Sequence, residues 1–325
     1  MKYAFHLLFV ILLFFASCEK KDNPITLPAK GDGSIMQVDM GENYDYQFYI
    51  NLDLGKVVHA TKNNLYHLAF QSGDNQQGVL TNSGQGMAVY NTGKSDFAAV
   101  DFNDTSIAYR NWKYDAPSNE IDSSAIGNWG SKSNIYLIKL GKTNARVRKF
   151  QIKYVDAFQY MIHVGDLNST TGADITIFKN KDQVYTYFSF DFLTTVDDVE
   201  PAPNVKWDFV ITLYNNTFYD QNPALPYVVN GVLFHPATVG TVDSNSVYNA
   251  INKEFASTRA FVSKKDVIGY SWKNYDRDQN LYTVNNKYNY IIQNGNGRFY
   301  KLRFLDFYSS TGIKGSPKFE YKVLQ

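Results

Sequence analysis

Along most of the chain, apolar and polar residues alternate with a period of two. Over residues 44–54, Phe48, Ile50, Leu52 and Leu54 fall on one side and polar residues on the other. That is the pattern of a strand half-buried against a core. The same pattern predicts strands over 65–71, 86–91, 135–140, 149–154, 175–179, 185–192, 207–214, 288–293, 299–304 and 318–323. Turn residues punctuate them: Asn230-Gly231, Asn-Gly-Asn-Gly at 294–297 and Ser-Ser-Thr-Gly at 309–312. Helical spacing is weak. Val247, Tyr248, Ile251 and Phe255 predict one short helix over 244–255, with Asp243 as its cap. The expected fold class is all-β with at most a short helix.

The strand pattern repeats. YLIKLGKTNARVRKFQIKYVD, from Tyr136, and YIIQNGNGRFYKLRFLDF, from Tyr290, both run strand, Gly-bearing turn, basic residue, strand and aspartate. Upstream, Ile126-Gly127 and Trp129 match Ile268-Gly269 and Trp272. A single sheet cannot cover both of its own faces. The repeat therefore predicts two tandem β-sandwich-like halves, residues 35–180 and 181–325.

The N-terminus follows a different pattern. Lys2 precedes an apolar run from Tyr3 to Phe15. The run is shorter than the ~20 residues a membrane-spanning helix needs, and it fits the core of an export signal. Phe15-Ala16-Ser17-Cys18 resembles the bacterial lipobox. That resemblance implies a signal peptide over 1–17 and a diacylglyceryl group on Cys18, the first mature residue. The membrane is then a partner through the lipid. Glu19, Lys20, Lys21 and Asp22 resemble the surface-export signals of Bacteroidetes lipoproteins. The stretch 18–34, with Pro24, Pro28, Gly31 and Gly33, reads as a flexible tether. The expected location is the outer membrane, facing the cell surface.

Composition narrows the function. Cys18 is the single cysteine of 325 residues, so no intrachain disulfide can form. A formal net charge of +1 supplies no field for nucleic acid. The 25 tyrosines and 23 phenylalanines favour pleated surfaces and are too many to rank as site residues. No His-Glu-x-x-His, Gly-x-Ser-x-Gly or phosphate-binding loop occurs, and the chain is read as a non-enzyme. Four residues stand out as ligand candidates. His235 precedes Pro236, in an extended or turn conformation. Met87 follows Gly84 and Gly86 in the first half. Trp129 and Trp272 recur at matched positions, as core anchors or as stacking platforms for a flat ligand.

The second half carries a family resemblance. YTYFSF (185–190), Trp207-Asp208, NKYNYII (286–292) and RFYKLRFLDFYSSTGIKGSPKFEYKV (298–323) resemble the HmuY family of Bacteroidetes haem-binding lipoproteins. The resemblance implies an all-β fold, haem as ligand, capture without catalysis, and delivery to an outer-membrane receptor. It also implies iron held between two histidines, with methionine in some relatives. Near the expected second-ligand position this chain has Trp272, and an indole cannot ligate iron. No histidine or methionine lies between Pro236 and Trp272. His235 is left as the nearest candidate. The alternative reading is a structural or interaction lipoprotein that binds a partner protein or glycan.

Overall fold

The computed structural model describes residues 31–325 except 109–110, 119 and 142–145. The export signal, Cys18 and the tether up to residue 30 lie outside the described residues. The rest is mostly antiparallel sheet, as the alternation predicts.

Two sheet pairs carry the architecture. In the first, a five-stranded sheet runs in the order Ala173–Phe178, Gln159–Asp166, Arg146–Val155, Ile135–Leu140, Ala88–Asn91. It packs on a second sheet ordered Thr194–Val196, Tyr185–Ser189, Leu68–Gln71, Gly78–Thr81, Gly127–Asn128. Their shared core holds Phe70, Phe150, Tyr160, Ile162 and Phe188, all fully buried. In the second pair, a five-stranded sheet runs Ser34–Gln37, Lys314–Leu324, Phe299–Tyr308, Asn289–Gln293, Val239–Asp243. It covers a four-stranded sheet ordered Leu225–Phe234, Phe209–Phe218, Tyr46–Asn51, Lys56–Lys62. Ile50, Phe209, Val232, Trp272, Leu302 and Phe319 fill the space between them. Burying such side chains stabilises by roughly 1.5–3 kcal/mol each, against the entropy of ordering the chain.

The pairing crosses residue 180. Ile50 faces Phe209 and Phe48 faces Ile211, while Ser34–Gln37 pairs with the last strand. The two repeated stretches occupy matching places, each giving adjacent strands of a five-stranded sheet.

Two expectations are corrected. The helix expected over 244–255 is a 3-10 turn, Tyr248–Ala250, and a five-residue helix, Lys253–Ser257. Asn252 caps that helix by accepting from the Phe255 N–H, whereas Asp243 accepts from Ser246 N–H in a bend. Asn230-Gly231 is not a turn but lies inside strand Leu225–Phe234. Gly231 is needed for close approach instead. A Cβ there would meet the Gly269 carbonyl oxygen at 2.5 Å, where Val232 bridges to Gly269.

Candidate ligand-binding site

His235 ends strand Leu225–Phe234, at the rim of a cleft of about 240 Å³. Trp207, Asp208, Glu200, Gln183 and Asn296 line the same cleft. Strand pairing converges them. Asp208 precedes strand Phe209–Phe218, and its backbone carbonyl accepts the His235 N–H at 2.9 Å. Trp207 meets His235 edge-on at 4.6 Å, and meets Tyr49 at 4.9 Å.

The electrostatics follow from burial. Glu200 is 4% exposed, and desolvation pushes its carboxyl up to about 7. It accepts from Val184 N–H at 2.9 Å and from the Tyr187 hydroxyl at 3.2 Å. Burial likewise pushes Asp208 up to about 6, although the Leu52 N–H donates to it at 2.6 Å. His235 moves the other way, down to about 4, through desolvation and then the nearby Lys265 ammonium. It is therefore neutral at pH 7. Its Nδ1 accepts the Ala237 N–H at 3.0 Å, which leaves the proton on Nε2.

The other sequence candidates lie elsewhere. Met87 is 3% exposed, in the first half of the fold. Trp129 is buried, and its Nε1–H donates to the Ile152 carbonyl at 2.9 Å. Trp272 is 0% exposed and stacks on Phe304 at 3.9 Å. Ile152 and Phe304 both lie on the strand that follows the Gly-bearing turn of their repeat, so both indoles lie against corresponding strands. The structure brings none of the three to the His235 cleft. Trp207, Glu200 and Asp208 escaped notice as site residues because only long-range pairing assembles them.

Among the described residues, no two histidines or methionines line any one of the main clefts to hold an iron between them. His67 is buried, with Nδ1 accepting the Phe190 N–H at 3.1 Å. His59 Nε2–H donates to the Asp198 carbonyl at 3.1 Å. His163 Nδ1–H donates to Asp174 at 2.6 Å. Its ring meets Phe97 edge-on at 4.4 Å. Met40 is fully buried, with Asn230 Nδ2 on its sulfur. Among the described residues, no second histidine and no methionine lines the His235 cleft. Its volume also falls below the roughly 300–1,000 Å³ of typical ligand pockets.

Fold and site thus define an all-β protein of packed sheet pairs with a small polar cleft. The HmuY protein family model matches residues 43–321, and the chain belongs to the HmuY family. Among solved structures, apo PinO from Porphyromonas gingivitis is similar at 12% identity and TM-score 0.37, covering 91% of this chain and 99% of that one. An HmuY-like heme binding protein from Bacteroides vulgatus is similar at 10% identity and TM-score 0.23, covering 92% and 97%. The apo HmuY analog of Tannerella forsythia is similar at 9% identity and TM-score 0.26, covering 90% and 96%. No curated protein matches.

Proposed function

We propose that this chain is a cell-surface binding lipoprotein that captures a tetrapyrrole of the haem class and passes it to an outer-membrane receptor without catalysis. The observation that carries the reading is the HmuY family match, which spans nearly all of the described sheet structure. The lipobox around Cys18 supports the anchor. Several acyl chains, at ~0.8 kcal/mol per buried methylene, hold a protein firmly to a bilayer. Glu200, Asp208 and His235 are engaged by backbone groups, a role in holding loops together rather than in turnover.

Titration of the purified chain with haemin, followed by absorption, tests the capture. A saturable shift of the Soret band is expected. A band identical to free haemin at every ratio would remove the haem class. Radiolabelled palmitate should enter the wild-type chain in cells and should not enter Cys18→Ala.

A further inference from the structure

The described chain opens with a short strap, Gly31-Asp32-Gly33, held in place before the first strand, Ser34–Gln37, begins. Glu320, on the last strand, Lys314–Leu324, is 0% exposed. One oxygen of its carboxylate accepts the Gly31 N–H at 3.0 Å, and the other accepts the Gly33 N–H at 2.8 Å. Amides close along the chain and aimed at one point make a concavity that favours an anion. Arg303 grips the same carboxylate from the neighbouring strand, through Nε at 3.0 Å and Nη2 at 2.8 Å. Between the two glycines, Asp32 bridges to Lys322 at 2.7 Å and to Lys301 at 3.3 Å.

Only glycine fits on either side of that aspartate. A Cβ at Gly31 would meet the Glu320 carboxylate at 2.6 Å, and Arg303 holds that carboxylate where it is. A Cβ at Gly33 would meet the Tyr321 carbonyl oxygen at 2.5 Å, which is backbone and cannot swing away. A tether that had only to be long and soluble would not need a buried carboxylate dedicated to two of its amides.

The strap also has a defined face. Side chains alternate along a strand. Phe319, Tyr321, Leu302 and Phe304 fill the core, so Glu320, Arg303 and Lys301 point away from it. The strap therefore crosses the outer face of the five-stranded sheet, and the four-stranded sheet lies behind the inner face.

We propose that this strap is a latch that fixes where the membrane tether leaves the body. The lipid on Cys18 then draws the outer face of the five-stranded sheet towards the bilayer and turns the four-stranded sheet to the medium. This role rests on the lipid anchor proposed above. A coil of the length between Cys18 and Gly31 spans about 20 Å. A globule of this size is about 50 Å across. So short a lead keeps the exit face nearer the lipid than the face behind it. Without the latch the tether leaves from Ser34, at the sheet edge, and the body tilts.

The test uses the mature chain and two readings. Hydrogen exchange follows the amides of residues 31 and 33. Neutron reflectometry follows the body after Cys18, the single thiol, is coupled to a maleimide lipid in a phosphatidylcholine bilayer. In wild type both amides should exchange about tenfold or more slower than in an unstructured peptide of the same sequence. In Gly31→Val/Gly33→Val they should exchange at the peptide rate, and the protein layer should change in tilt and thickness. Both glycines lie outside the strands, and thermal unfolding of this variant should match wild type. Asp32→Asn removes both lysine bridges without adding bulk, and should loosen the same two amides. Peptide-rate exchange in wild type overturns the latch. Equal tilt and thickness in wild type and Gly31→Val/Gly33→Val overturns its control of orientation. Coupling supplies the lipid chemically, so palmitate missing from Cys18 in cells would sink the anchor reading without altering either measurement.

Discussion

Lys149 and Lys301 perform the same task in the two five-stranded sheets. Each lies on a ten-residue strand, with its side chain pointing to the outer face and almost fully buried. Lys149 Nζ donates to the carbonyls of Phe97 and Val100 at 2.7 and 2.5 Å, beside the 3-10 turn Phe97–Ala99. Lys301 Nζ donates to the Tyr248 carbonyl at 2.9 Å, at the 3-10 turn Tyr248–Ala250. Each ammonium also sits 4.4 Å from the centre of the ring that opens its turn, Phe97 or Tyr248. The parallel follows the sheet register, since Lys149 lies opposite Leu137 and Lys301 opposite Ile291, each one residue after the matched tyrosines Tyr136 and Tyr290.

The clasp predicts matched losses. Removing the ammonium strands buried carbonyls, at about 1–3 kcal/mol for each site. Lys149→Met and Lys301→Met should therefore each lower the denaturant midpoint by a similar amount, with the slope unchanged. A midpoint equal to wild type in either variant would mean that water replaces the clasp without loss.

Glu200 predicts a pH dependence. Its folded-state carboxyl sits at about 7, above the ordinary glutamate value, because burial disfavours its charge. Between those two values the folded chain binds more protons than the unfolded chain. Stability from this group is thus full below about pH 4.5 and is lost as pH rises through 7. Glu200→Gln keeps an acceptor for Val184 and removes the charge. It should flatten the decline between pH 5 and 7, and be more stable than wild type at pH 8 by roughly 2–3 kcal/mol. Parallel unfolding curves for the two proteins across this range would refute the assignment.

The sheet pairing predicts which piece folds alone. Both sheets of the first pair draw all their strands from residues 68–196. The four-stranded sheet of the second pair draws Tyr46–Asn51 and Lys56–Lys62 from far upstream. A fragment spanning 63–200 should unfold cooperatively. A fragment spanning 181–325 should show no cooperative transition, because Phe209, Ile211 and Val232 lose their neighbours. Circular dichroism during denaturation reads both, and a cooperative 181–325 fragment would contradict this division.

Much of this was legible in the sequence, and what was not has physical causes. Ile135–Leu140, Asn289–Gln293 and Phe299–Tyr308 follow directly from alternation or apolar runs beside turns. Gly78–Thr81 went unseen because all four of its residues are buried, so no polar face marks it. Leu225–Phe234 was hidden by the Asn-Gly within it, which serves a close backbone approach rather than a turn. His235 was legible as a loop-edge residue before proline. Its companions Trp207, Glu200 and Asp208 were not, since their meeting depends on pairings over long chain distances.

Lys273 supplies the last prediction. Its ammonium is buried without a carboxylate among its contacts, and it donates to the Asn230 carbonyl at 2.6 Å. The rings of Trp272 and Phe307 lie 4.2 and 4.8 Å away, which offsets part of the lost hydration. Burial still pushes Lys273 down to about 7. Above that value the unfolded chain binds more protons than the folded chain, up to the ordinary lysine value. Stability from this site therefore rises as pH increases from about 7 towards 10, opposite in sign to Glu200. Lys273→Met removes the buried charge but strands the Asn230 carbonyl, and the first effect is the larger below pH 7. The variant should be more stable than wild type at pH 6 by about 1–3 kcal/mol, and the gap should close as pH approaches 10. Chemical denaturation of both proteins at pH 6, 8 and 10 measures the gap. A variant less stable than wild type at pH 6 would show that the rings and Asn230 more than compensate for the lost hydration.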